Sequence, residues 1–242
     1  MNLCIDQGNS RTKIGIFSQN KLIEFKIFEI FGSTEISMLR NNFPINRCIF
    51  SSVALENDQL LAELRGKWSN LIILSHLTNV PIDNRYKTPE TLGKDRLAAI
   101  VGASFIKPNN DILVIDAGTA ITYDFIDANN VYWGGNIAPG LNLRLRALHE
   151  FTEKLPLIEI QVESTELGND TQSALISGAL YGVVYEIDGY INHLKIKYPK
   201  LSVFLTGGST FYFDTKLKNA IFAEQNLVLI GLNRILQYNV QK

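Results

Sequence analysis

The sequence predicts an α/β protein in two related halves, each a mixed sheet flanked by helices. Three observations carry this prediction. Short apolar strand-like runs alternate with helix-like segments along the 242 residues. A strand running into Asp-x-Gly opens the chain at Asp6 and returns at Asp116. After each of these, the same order of strand, turn, strand, turn, strand follows, as expected of a duplicated unit. The halves are residues 1–110 and 111–242.

Asn2–Ile5 is a short apolar strand ending on Asp6, and Lys13–Phe17 is a second. Ser18-Gln19-Asn20-Lys21 supplies a hairpin turn into Leu22–Phe28, whose partial alternation marks a third strand. Ile36–Asn42 reads as a helix, Arg47–Ser52 as a strand, Asn57–Trp68 as a helix and Leu71–Leu74 as a strand. Pro81–Pro89 is rich in turn formers. From Leu92 to Ile106, Leu97, Ile100, Val101 and Phe105 recur on one helical face. Pro108-Asn109-Asn110 interrupts the pattern and the opening returns. Asp111–Ile115 is a strand ending on Asp116, Thr122–Ile126 a second, residues 127–130 a turn and Val131–Trp133 a third. The segment Gly134-Gly135-Asn136-Ile137-Ala138-Pro139-Gly140 reads as a glycine-rich loop before a helix through Leu148. Gln172–Leu194 is a long apolar helix, Ser202–Thr206 a strand followed by Gly207-Gly208, and Asn226–Tyr238 the closing helix.

Laid over each other, Asp6 to Lys13 and Asp116 to Tyr123 share the Asp, the Gly two places on, and a Thr at the seventh place, Thr12 and Thr122. An Asp-x-Gly turn suits a phosphate in a specific way. Glycine lets the backbone approach a ligand closely. The amides that follow, the hydroxyls of Ser10 and Thr12, and the charge of Lys13 can meet phosphate oxygens. The carboxylate repels phosphate but can hold a cation that binds it. Two such turns facing each other would clamp a nucleoside triphosphate and its cations. Asp and Gly also favour ordinary hairpin turns, so one turn alone would say little. The G-x-x-x-x-G-K-[ST] and G-x-G-x-x-G patterns are absent, which removes support for a P-loop or Rossmann protein.

Composition narrows the classes further. Apolar residues make up 46% and charged residues 19%, as in globular proteins. The net charge of −1 offers no basic excess for a nucleic-acid backbone. Cys4 and Cys48 lie in apolar runs and read as buried thiols, suited to a reducing compartment. No basic-then-apolar leader is visible, and the longest apolar run, Ala174 to Tyr185, is shorter than a membrane span of about 18 residues. A soluble cytoplasmic protein is the expectation.

The motif set, taken in order, resembles the type III pantothenate kinases, members of the acetate and sugar kinase, heat-shock ATPase and actin superfamily. The resemblance rests on Asp6-Gln7-Gly8-Asn9-Ser10-Arg11-Thr12-Lys13, Tyr86, Gly93-Lys94-Asp95-Arg96, Asp116-Ala117-Gly118-Thr119-Ala120, Gly134-Gly135-x-Ile137-x-Pro139-Gly140 and Thr171. Family members usually carry Thr at position 10 and a small apolar residue at position 7, where this chain has Ser10 and Gln7. The resemblance implies two ribonuclease H-like halves of the actin-like ATPase type. It also implies transfer of the γ-phosphate of ATP to the primary hydroxyl of pantothenate, the first step toward coenzyme A.

The same resemblance implies roles for residues. Asp6, Gln7, Gly8, Asn9, Ser10, Arg11, Thr12 and Lys13 would form the first phosphate loop, and Thr119 would touch ATP from the second half. Asp116 would hold a monovalent cation, potassium or ammonium, with magnesium accompanying ATP. Asp95 would be the general base, and Tyr86, Gly93, Lys94, Asp95, Arg96 and Thr171 would contact pantothenate. Spacing alone would equally make Asp95 a helix N-terminal acid, Arg96 a solvated surface charge, Tyr86 a packed loop aromatic and Thr171 a helix N-cap. Gly207-Gly208 would let the backbone approach the adenosine. His149 falls in a region that reaches the dimer partner in similar proteins, while His76 and His193 read as surface residues; a homodimer is implied. The competing expectations are a kinase of the same superfamily acting on another small hydroxyl substrate, and a non-catalytic accessory regulator.

Overall fold

β1 (Asn2–Gln7), β2 (Thr12–Ser18) and β3 (Lys21–Phe28) form an antiparallel meander in the computed structural model, which describes residues 1–9, 11–53, 58–160, 165–213 and 215–240. Leu3, Cys4 and Ile5 are all buried, so β1 is covered on both faces, whereas β3 alternates exposed and half-buried residues as an edge strand does. β4 (Arg47–Ser52) and β5 (Leu71–Ile73) add in parallel, giving the order β3-β2-β1-β4-β5.

One face of this sheet, with Leu3, Ile5, Ile14 and Ile16, packs on α1 (Ser33–Asn42) through Ile36 and Leu39. It also packs on α2 (Asp58–Lys67) through Leu60, Leu61 and Leu64. The opposite face, with Cys4, Phe17 and Ile49, packs on α3 (Lys94–Ile106) through Ala98 and Val101, and on the closing helix α6 (Leu227–Val240) through Leu229, Leu232, Ile235 and Leu236. Cys4 and Cys48 are buried free thiols on opposite faces, which the sheet keeps from pairing. Burial pushes both thiols up in pKa.

β7 (Ile112–Ala117), β8 (Ala120–Ile126), β9 (Val131–Pro139), β10 (Ser202–Thr206) and β11 (Phe222–Ala223) repeat the scheme in the order β9-β8-β7-β10-β11. β7 and β8 are antiparallel, while β10 joins β7 in parallel. Leu113, Ile115 and Ala117 pack with α4 (Leu141–Glu150) and α5 (Thr171–Lys197) through Leu141, Leu145, Leu180, Val183 and Ile187. A two-residue strand β6 (Asp83–Asn84) pairs with Val131 and Tyr132.

The chain divides into two compact units. The first is Met1–Pro108 with Asn130–Tyr132 and the chain from Asn226 on, and the second is Asn109–Asn129 with Trp133–Gln225. The closing helix thus groups with the first unit, because its apolar face covers that unit's sheet.

Three sequence-based readings need correction. The glycine-rich segment is strand as far as Pro139 rather than loop. β11 is present where nothing was expected, being two residues long. The match of Thr12 to Thr122 is one residue out of register. Asp6 pairs with Lys13 across the first hairpin, but Asp116 pairs with Thr122 across the second. The second turn is one residue shorter: Gly8 N–H bonds to the Arg11 carbonyl, whereas Gly118 N–H bonds to Ala120. Lys13 and Thr122 are therefore the structural equivalents. Among the described residues no helix is long and apolar enough to cross a membrane.

Candidate functional site

In the first unit, β1 carries Asp6 to the end of the sheet, on the face that α3 covers, since Asp6 and Cys4 share a face. Its register neighbours are Lys13 on β2 and Ser51 on β4. These three side chains therefore share one patch of the sheet. Ser51 Oγ is buried with no hydrogen-bond partner, an unmet polar atom beside a carboxylate and an ammonium. Asp6, Gln7 and Gly8 are half-buried, Asn9 and Arg11 exposed, Thr12 buried and Lys13 half-buried. Gln7 accepts a hydrogen bond from the Ser52 hydroxyl at 3.1 Å, which ties the turn to β4. Ser10 lies outside the described residues.

The helix-starting segment Gly93-Lys94-Asp95-Arg96 and Tyr86 are brought together in the same unit. Gly93 is the N-cap residue of α3, and Asp95 falls in its first turn, where the helix dipole favours a carboxylate. Asp95 Oδ1 accepts the backbone N–H of Arg96 at 2.8 Å. It also sits against Gly93: a Cβ there would lie 2.6 Å from it, so only glycine leaves the carboxylate its place. Arg96 is 6% exposed, which removes the reading of a solvated surface charge. Its guanidinium carbon lies 5.5 Å over the Tyr86 ring, within cation–π range. Tyr86 stacks in turn on the fully buried Tyr132 at 6.3 Å and 9°, and its backbone N–H donates to Asn84 Oδ1 at 3.0 Å. The outcome is a half-buried carboxylate beside a braced guanidinium and an aromatic face, with Lys94 half-buried next to them.

In the second unit, Asp116 has Thr122 and Thr206 as register neighbours on β8 and β10. Thr122 Oγ1 is buried without a partner, as Ser51 Oγ is in the first unit. Gly207, at φ +100°, passes so close that a Cβ would stand 2.5 Å from Asp116 Oδ1 and 2.5 Å from the Ala117 carbonyl oxygen. Carboxylate, hydroxyl and carbonyl oxygens suit a hard cation. Thr119 is exposed at the turn, and its carbonyl accepts the Gly140 N–H at 3.0 Å, so the glycine-rich segment closes over the turn.

That segment is held by a polar triad. Arg144 donates to the Pro139 carbonyl at 2.8 Å and to Glu186 at 2.5 Å, and the Tyr123 hydroxyl donates to the other Glu186 oxygen at 2.8 Å. Burial, and then the bond to Glu186, push the Tyr123 phenol well above its ordinary pKa. A raised pKa means that the folded state holds this proton more tightly. Stability is thus fully present below about pH 10, the ordinary tyrosine value, and falls as pH rises beyond it. Unfolding measured from pH 8.5 to 11 is expected to show this decline, and Tyr123→Phe to flatten it.

Thr171 is the first residue of α5 and is exposed. It is not the N-cap: Asp170 is, its carboxylate accepting the Ser173 N–H at 2.9 Å, and that bond holds the Asp170 carboxyl below its usual value. His149 is exposed, with Nδ1 2.8 Å from the Leu155 carbonyl. Sequence reasoning passed over Ser51, Thr122 and Thr206 as site residues. Only their pairing beside an Asp singles them out.

The family model of the type III pantothenate kinases matches residues 2–193. A type III pantothenate kinase of Phocaeicola vulgatus is 49% identical over 239 residues, covering 99% of each chain. A Campylobacter jejuni structure named as a Baf family transcriptional activator is similar at a TM-score of 0.60 and 23% identity, over 99% of this chain and 100% of that one. A Sinorhizobium meliloti structure named for 2-dehydro-3-deoxygalactonokinase gives 0.61 at 14% identity, over 99% of each. These two likenesses show the fold, that of the actin-like ATPases and sugar kinases. Matched along most of its length by the family model and along nearly all of it by the Phocaeicola relative, the chain belongs to the type III pantothenate kinase family.

Proposed function

We propose that this protein phosphorylates pantothenate with ATP, giving phosphopantothenate in the first step of coenzyme A biosynthesis. The observation that carries the reading is the group Tyr86, Gly93, Asp95 and Arg96: a carboxylate held by glycine at a helix start, beside a guanidinium braced on an aromatic ring. Phosphoryl transfer is largely a matter of positioning and charge. Asp95 orients the primary hydroxyl of pantothenate and takes its proton late, as a loose transition state allows. Arg96 and Lys94 offset charge on the substrate and on the phosphoryl group in transit. Tyr86 and Thr171 contact pantothenate.

The turn from Asp6 to Lys13 takes the ATP phosphates, with its amides, Ser10, Thr12 and Lys13, and Thr119 adds a contact from the second turn. Among the described residues no three His, Cys, Asp or Glu side chains gather as a metal site. A magnesium ion would accompany the ATP, resting on the phosphates themselves, as magnesium commonly does in kinases. Asp116, with Thr122 beside it, would hold potassium or ammonium, which neutralises charge near the triphosphate. The unmet Thr122 oxygen supports that placement. We further propose ribonuclease H-like halves of 1–110 and 111–242, a homodimer, and a cytoplasmic location.

The test is purified protein with ATP, pantothenate, magnesium and potassium, with phosphopantothenate read by mass spectrometry. Folded protein that yields none, or that phosphorylates hexoses instead, would overturn the reading. Within it, Gly93→Ala is expected to push the Asp95 carboxylate aside and lower kcat by about 10²-fold. The KM for ATP should hold, which steady-state kinetics would check.

A further inference from the structure

A second polar cavity lies in the first unit, at the end of the sheet opposite Asp6. It has a volume of about 740 Å³ and is lined by Arg47, Arg234, Asn46, Asn70 and Gln237 among others, with no Asp or Glu among the described residues of its wall. That volume is ample for a small-molecule ligand. From Asn2, at its edge, β1 runs five residues to Gln7, roughly 16 Å at strand rise. The cavity is therefore separate from the phosphate turn.

The two arginines reach it from different elements, and Asn2 links them. Asn2 is the register partner of Arg47, so both side chains stand on the face that α6 covers. Its amide donates at 2.8 Å to Asn233, the residue before Arg234. Asn233 donates in turn to the Gln19 carbonyl at 2.8 Å, as does Gln237. This buried amide chain, with Asn2 8% and Asn233 3% exposed, gives the cavity a fixed floor. Arg234 is further braced over the Phe105 ring at 5.4 Å.

Both arginines are half-buried, and neither has a carboxylate partner among the described residues. Among the described residues the side chains of Asn46 and Asn70 make no hydrogen bond either, which leaves their amide donors available. Half-buried cations without a carboxylate partner among the described residues, set among spare N–H donors, match the demands of a phosphate group.

We propose that this cavity binds a phosphate-bearing small molecule, its phosphate held by Arg47 and Arg234 and its remainder by the asparagine side chains. The site is independent of the transfer reaction. The test is an NMR titration of ¹⁵N-labelled protein with inorganic phosphate at constant ionic strength, chloride being the exchanged anion. Saturable shifts are expected at the Arg47 and Arg234 Nε–H signals and at the Asn46 and Asn70 side-chain amides. Arg47→Gln and Arg234→Gln should each weaken that binding by about tenfold, and the double variant should abolish it, with signals near Gly8 responding as before. Arg47→Lys should retain part of it, which a merely misfolded variant would not. Shifts that fail to saturate, that chloride reproduces, or that persist in the double variant would overturn the proposal.

Discussion

Asp95→Asn is expected to lower kcat by about 10²–10⁴-fold, the usual weight of a general base. The substitution keeps the size of the side chain and its acceptor oxygen toward the Arg96 N–H. It removes only the capacity to take the hydroxyl proton and the charge in the first helical turn. That charge contributes about 0.3–1 kcal/mol to α3, so the melting temperature should move by no more than a few degrees. Arg96 remains on Tyr86, and ATP binding, proposed for the Asp6 turn, should be unchanged. Single-turnover kinetics together with titration of a non-hydrolysable ATP analogue separate these effects. Turnover within tenfold of the parent would refute the base assignment and leave Asp95 as a helix-start acid. Loss of ATP binding would instead show that the two parts of the first unit are coupled.

Gly207→Ala should be the more damaging change for the second turn. At φ +100° an L side chain is strained by about 1–2 kcal/mol. The new methyl would also stand 2.5 Å from two oxygens, one of them the Asp116 carboxylate and the other the rigid Ala117 backbone. Overpacking of this kind costs about 1–3 kcal/mol. Together these predict a loss of about 2–5 kcal/mol in urea unfolding, with the melting temperature down by roughly 5–15 °C. Whatever protein remains folded must shift Asp116 or β10. The concentration of potassium needed for half-maximal activity should then rise, while the KM for pantothenate changes little. A variant with parental stability and potassium dependence would show that the turn yields freely, and would remove Asp116 from the cation site.

Much of this architecture was legible in the chain. Apolar runs ending on Asp6 and Asp116 marked the two central strands, because a strand buried on both faces leaves a continuous apolar signature. The helix over Lys94–Ile106 showed through its 3.6-residue period, and the repeat of the opening pattern anticipated two sheets of like strand order. Short or strained elements were not legible. β11 has two residues, too few for any periodicity. Gly134 and Gly135 looked like a loop because glycine weakens strand propensity, yet neighbouring strands hold the segment extended. The N-cap of α5 was misread by one residue, since Asp170 and Thr171 are both good caps and only the bond to Ser173 decides between them.

The sequence by itself determined the order of the elements, the two Asp-x-Gly turns and the motif set that marks the family, since each is a property of residues near one another in the chain. The tertiary structure alone decided what those residues face. Burial of Arg96 over Tyr86 joins residues ten apart across a turn-rich connection. The hydroxyls beside each aspartate come from strands whose pairing is non-local, Ser51 for Asp6 and Thr206 for Asp116. The one-residue difference between the two hairpins, which sets Lys13 beside Asp6 but Thr122 beside Asp116, is a matter of register. Register follows from how whole strands bury their faces, and no local pattern of residues encodes that.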